Sequence, residues 1–175
     1  MLERRSALAA AHAYASPTLK LEEAPGFTLT QVAGDASKIA AVTGALPAHV
    51  GKAGEHKGRT LFRIGPKQFW IVGPENDDAA RLLQGSAAVT PLSSSRTRIL
   101  LEGPPARAVL MKGIAIDFHP AVFTPGTFAM TGVHHMPLLV HCTGENSFHI
   151  YAMRSFAMSM WEWFSDAAAE FATGA

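Results

Sequence analysis

Cysteine is almost missing from this sequence: among 175 residues only Cys142 carries a thiol. An internal disulfide and any cysteine-based zinc or iron–sulfur site are thereby excluded, and a reducing compartment is the expectation. An excess of charge of one sign is missing as well. Fifteen Lys+Arg stand against fourteen Asp+Glu, for a net charge of +1. The basic residues are scattered and form no stripe of the kind a nucleic-acid reader presents, so no nucleic-acid partner is expected. No run of about 18 consecutive apolar residues occurs, and no membrane-spanning helix is expected. The Gly-x-Ser-x-Gly elbow of a serine hydrolase, the Walker lysine and the dinucleotide glycine spacing are absent too. The opening MLERRSALAAAHAYASP imitates an export signal, with a basic start and a small-x-small Ala13-Tyr14-Ala15. Its middle is carried by alanine and broken by His12, which does not make an apolar signal core. A cytoplasmic location, with residues 1–26 as an N-terminal arm, is the expectation.

What is present is a pattern written twice. Laying FTLTQVAGDASKIAAVTGAL (Phe27 to Leu46) over RTRILLEGPPARAVLMKGIA (Arg96 to Ala115) pairs Gly34 with Gly103, Val42 with Met111 and Gly44 with Gly113. Each copy reads as a strand, a glycine turn and a short helix. Asp35 suits an N-cap, Pro104 and Pro105 suit a first turn, and Gly44 and Gly113 can end their helices with φ > 0. A second piece follows each copy: GRTLFRIGPKQFWIVGPENDDAARLL, then PLLVHCTGENSFHIYAMRSFAMSMWEWF, with Phe69-Trp70-Ile71-Val72 falling on Phe148-His149-Ile150-Tyr151. In both, β-rich runs flank a turn and a helix follows. Strands mixed with single helices predict an α+β fold with mainly antiparallel sheets. Residues 27–175 read as one pseudo-duplicated domain, with repeat one at about 27–90 and repeat two at about 91–172. Two copies are too few for a solenoid.

Several groups invite a chemical reading. Ser93, Ser94, Ser95 and Arg96 place three hydroxyls beside a guanidinium, a set that could bind a carboxylate or phosphate, or could pin a strand through local hydrogen bonds. His134, His135, His141, Cys142 and His149 lie close together, but adjacent residues on a strand face opposite sides, and no standard ligand spacing appears; no metal site is expected. Asp77-Asp78 precedes AARLL and reads as acids at a helix N-terminus, whereas Glu22-Glu23 reads as a solvated loop. In the last helix Phe156, Met160, Trp163, Phe164, Ala167 and Phe171 form an apolar stripe at helical spacing. Met158 and Trp161 fall outside that stripe. They are candidates for a partner interface, with packing of Trp161 beneath a neighbouring loop as the alternative.

PLSSSRTRILLEGPPARAVLMKGIAIDFHPAVFTPG (Pro91 to Gly126) resembles the signature region of the gamma-subunit family of heterotetrameric sarcosine oxidases. The Arg5-Ser6-Ala7-Leu8 opening, IGPKQFWIVGP (Ile64 to Pro74) and RSFAMSMWEWF (Arg154 to Phe164) resemble the same family. Leu-Ser-Ser-Ser-Arg with Gly-Pro-x-Ala is shared with the wider group of glycine-cleavage T-protein-like, folate-binding-type domains. The resemblance implies the T-protein-like α+β fold with two swapped repeats. It implies a non-catalytic gamma subunit beside alpha, beta and delta subunits, with FAD, FMN, NAD, zinc and tetrahydrofolate belonging to those partners. The complex so implied oxidatively demethylates sarcosine to glycine and peroxide, passing the one-carbon unit to tetrahydrofolate. Where T-proteins follow the strand resembling FWIV with Asn-Ala, this chain has Gly73-Pro74, which argues against folate at that position. Lys112-Gly113 continues into Ile114, without the cysteine of the iron–sulfur-linked relatives. No catalytic residue is therefore assigned; Ser93 to Arg96 and Arg154 are candidates for polar contacts within or between subunits. A gamma-type subunit of a related N-methyl amino acid dehydrogenase and a stand-alone module for folate or a small carboxylate fit the same residues.

Overall fold

The computed structural model describes residues 5–12 and 14–172. Ala13 and the first four residues of the signal-like opening lie outside the described residues. The chain divides into two compact units, one of Gly26–Ser94 with Gly126–Phe128, the other of the remaining residues.

The first unit is a five-stranded sheet in the order β3-β4-β5-β2-β6. Its strands are β2 (Phe27–Ala33), β3 (Ala53–His56), β4 (Arg59–Gly65), β5 (Gln68–Pro74) and β6 (Ala88–Pro91). Helices α1 (Ala36–Thr43) and α2 (Ala79–Leu82) cover one face, where Ile39, Ala79 and Leu83 meet Val32, Leu61, Phe69 and Ile71. Asp35 caps α1 as its residue type predicts, its side chain accepting from the N–H groups of Ser37 and Lys38. Gly44 ends the same helix at φ 92°, a conformation side chains disfavour.

The second unit repeats this plan with one exchange. Its sheet runs β8-β9-β10-β7-β1, from β7 (Arg96–Glu102), β8 (Phe128–Val133), β9 (Met136–Gly144), β10 (Ser147–Met153) and the N-terminal β1 (Lys20–Glu23). Reading β7 for β2, β8 to β10 for β3 to β5 and β1 for β6 makes the two orders identical. The place that β6 fills after α2 is thus filled here by a strand from the start of the chain. Glu22 and Glu23, expected in a solvated loop, belong to this strand. Its pairing with β7 runs from Lys20 opposite Glu102 to Glu23 opposite Ile99, because Leu19 and Leu21 supply the apolar side chains that hold it to the core.

Helices α3 (Ala106–Met111) and α4 (Ala157–Ala167) cover the second sheet. Pro105 stands at the N-cap of α3. Gly113, expected to turn through positive φ, does not; it is required by space, since a Cβ there would lie 2.4 Å from Trp163. The apolar stripe of α4 also differs from its expected position. Ala157, Met160, Trp161, Phe164 and Ala168 are the buried positions, Trp163 is half-buried, and Phe156, in a 3-10 turn ahead of the helix, is 37% exposed. The stripe is rotated toward Trp161 because the N-terminal segment packs on that side.

Candidate functional site

Ser93, Ser94, Ser95 and Arg96 do not converge on a common point. Ser93 Oγ accepts from the N–H of Leu29 at 2.9 Å and donates to its carbonyl at 3.3 Å, tying this turn to β2. Ser94 is exposed. Arg96 Nη1 donates to the Ser95 carbonyl at 3.2 Å and to Ser95 Oγ at 3.1 Å. Burial lowers the Arg96 guanidinium from its usual value. The unit boundary falls between Ser94 and Ser95. Arg154 follows Met153, which pairs across from Arg96, so the two arginines leave β10 and β7 at the same end. The Arg154 guanidinium donates to the Arg5 carbonyl at 2.6 Å, fastening the start of the described chain.

Trp161 is buried, at 6% exposure. Its indole Nε1 donates to the His12 carbonyl at 3.0 Å. Tyr14 Oη donates to the Ala168 carbonyl at 2.9 Å and Ser16 Oγ to that of Phe171 at 2.5 Å. The loop over Trp161 is therefore the N-terminal segment, and Met158 is half-buried against the same core. A cleft of about 570 Å³ runs along this segment from Tyr14 to Glu22, with Glu102 and Trp161 as its other walls. Lys20 and Glu22 in it form an exposed ion pair at 2.8 Å.

Arg107, in α3, was given no role by sequence reasoning and makes several hydrogen bonds in the second unit. It is buried, at 8% exposure. Nε and Nη2 donate to the Glu145 carbonyl at 2.9 and 2.7 Å. Nη1 donates to the carbonyls of Phe118, at 2.5 Å, and Phe123, at 3.2 Å. The guanidinium also lies 5.1 Å from the centroid of the Phe148 ring. A cation this deep is tolerated because carbonyl dipoles and an aromatic face replace its water. Its nearness opposes, without cancelling, the upward push that burial gives the Cys142 thiol.

His141 and His149 are cross-strand partners on the face of the second sheet opposite Cys142 and Phe148. Burial lowers both imidazoles to about 4, helped by His149 at His141 and by Arg98 at His149. Among the described residues no three His, Cys, Asp or Glu side chains gather as a metal set. The acids Asp77 and Asp78 are engaged in the first unit. Arg59 Nε donates to Asp77 at 2.6 Å and Nη2 to Asp78 at 3.0 Å, while Asp77 accepts from the N–H of Ala79. A Cβ on Gly73 would lie 2.6 Å from the Asp77 side chain. Gly73 is thus closely packed against the Asp77 side chain. Ser93, Arg107, Asp77 and Asp78 are thus engaged by hydrogen bonds or ion pairs within the chain.

The model of the sarcosine oxidase gamma subunit family matches residues 63–170. The chain is 35% identical over 159 residues to the sarcosine oxidase subunit gamma of Corynebacterium sp. strain U-96, covering 87% of this chain and 75% of that one. It is 33% identical over 147 residues to its counterpart from Arthrobacter sp., covering 81% and 72%. The structure superposes on a chain of the heterotetrameric sarcosine oxidase from Corynebacterium sp. U-96 in complex with pyrrole 2-carboxylate. That match has a TM-score of 0.89 and 32% identity and covers 98% of both chains. The glycine cleavage system aminomethyltransferase T from Bartonella henselae shares the fold at a TM-score of 0.65 and 17% identity, over 84% of this chain and 45% of that one.

Proposed function

This chain belongs to the sarcosine oxidase gamma subunit family, and from that premise we propose that it is a non-catalytic subunit that stabilises the flavin-bearing chains of a heterotetrameric oxidase. The observation that carries the proposal is the superposition over 98% of both chains on one chain of a heterotetramer. The state of the candidate groups supports it. The Ser93 hydroxyl is spent on the Leu29 backbone, the Cys142 thiol is buried and raised, and Arg107 is bound to carbonyls. On this reading alpha, beta and delta chains are the partners, and FAD, FMN, NAD, zinc and tetrahydrofolate reside there. The complex works in the cytoplasm, converting sarcosine to glycine and peroxide and passing the one-carbon unit to tetrahydrofolate.

The test is to purify a tagged copy from its native host grown on sarcosine. The expected eluate is yellow, contains larger chains and oxidises sarcosine, whereas the isolated chain binds no flavin and turns nothing over. A colourless single chain would overturn the proposal and direct attention to a stand-alone folate or carboxylate module. A yellow complex active only on other N-methyl amino acids would point to the related dehydrogenase.

A further inference from the structure

The sulfur atoms of this chain are sorted by depth. Of its seven methionines, Met1 lies outside the described residues. Met160, in α4, is fully buried in the core of the second unit. Met136, Met153 and Met158 are half-buried, the first and last of them against the same core. Met111 and Met130 stand apart, at 62% and 55% exposure. The buried positions of α3 are Ala106, Arg107, Val109 and Leu110, which turns Met111, the last residue of that helix, toward water. On edge strand β8, Ala129 and Val133 meet the core, and the alternation of a strand aims Met130 away from it. The one thiol, Cys142, is fully buried, and burial raises it toward its protonated, unreactive form.

Exposure decides which of these atoms meets an oxidant carried by water. Hydrogen peroxide oxidises a thioether by two electrons: a sulfur lone pair attacks one peroxide oxygen, the O–O bond breaks, and the other oxygen leaves with the proton as water. The sulfur becomes a sulfoxide, which reductases return to the thioether. A sulfoxide in the core would bury a strong dipole at the place of Met160. At Met111 and Met130 the new oxygen faces solvent and displaces no packing. The other well-exposed large apolar side chains, Val50, Leu82, Val122 and Phe156, hold no sulfur and give peroxide no lone pair.

We propose that Met111 and Met130 are modification sites, oxidised to reversible sulfoxides by the hydrogen peroxide that the oxidase releases, with the fold left intact. The source of the peroxide rests on the subunit reading above. The order of reactivity rests only on the burial of the sulfur atoms, which keeps Cys142 and Met160 from the same reagent.

Two experiments test it. In the first, the full chain is treated with millimolar hydrogen peroxide and mapped by peptide mass spectrometry. Met111 and Met130 should each gain one oxygen about tenfold faster than Met160 or more, and the melting temperature should hold when both are converted. A chain carrying Met111→Leu and Met130→Leu should take up two oxygens fewer. In the second, the assembled enzyme turns over sarcosine. Sulfoxide at the same two residues should grow with turnover and vanish when catalase is added. Oxidation of Met160 as fast as of Met111 and Met130 would overturn the proposal, as would a melting temperature that falls with their conversion. Turnover that leaves both as thioethers would overturn it too. A chain that enters no flavin complex would overturn the subunit reading and the peroxide source with it, and the order of oxidation in the free chain is read separately from that result.

Discussion

Gly103 shows how much one missing side chain can carry. Its φ is 131°, and a Cβ there would stand 2.2 Å from the Thr18 carbonyl oxygen. The glycine turn before α3 is therefore also a point where the N-terminal segment passes close to the second repeat. Ala at this position adds backbone strain to an overlap with main chain that cannot swing away, and Gly103→Ala is expected to lower stability by on the order of 3 kcal/mol. Urea denaturation followed by circular dichroism would read this as a lower midpoint with little change in slope. The sequence marks Gly103 through its match to Gly34, yet the reason differs between copies, since Gly34 has no left-handed φ and a Cβ there would meet the Ala87 side chain, at a tight 3.1 Å, instead of crossing main chain. Arg107 was harder to find. A lone arginine in a short helix carries no periodicity and no motif, and its value depends on carbonyls of residues 118, 123 and 145, brought to it only by folding.

Among the elements, the central strands were legible and the edges were not. β2, β4, β5, β7, β9 and β10 carry the apolar runs on which the duplication is read, because a strand with neighbours on both sides buries much of its length. The four remaining strands, β1, β3, β6 and β8, are the edges of the two sheets. Three of them have four residues and mostly polar or small side chains, as in AGEH of β3. Edge strands are kept short and polar against unwanted pairing, which also erases their periodicity. β1 was missed for the same reason, yet the N-terminal arm supplies both this strand and the cover over Trp161. Deleting residues 1–15 should remove that cover, shift tryptophan emission to longer wavelength and lower the melting temperature by about 5–10 °C, the size expected for losing a few kcal/mol in a domain of this length. Unchanged emission and melting temperature would show that α4 does not need the segment.

For the whole molecule, acid is the expected weak point. His141 and His149 are neutral when folded, with values lowered from 6.5 to about 4. Between those limits the unfolded chain binds more protons than the folded one, so stability is complete above pH 6.5 and is lost as pH falls toward 4. The slope is at most about 1.4 kcal/mol per pH unit for each imidazole. Melting temperatures measured from pH 7.5 to 4.5 should fall across this window, and His141→Gln should fall less steeply. An equal decline in the variant would assign the acid sensitivity elsewhere. Composition, the repeated strand–helix pattern and four ordered motifs were enough to determine fold class, duplication and family, because local propensity and apolar periodicity are written residue by residue. Tertiary structure alone decided that the start of the chain completes the second sheet and that Trp161 is covered. It alone decided that Arg107 organises the loop after α3. Each of these depends on which backbone groups meet across long stretches of sequence, and one-dimensional spacing does not record such meetings.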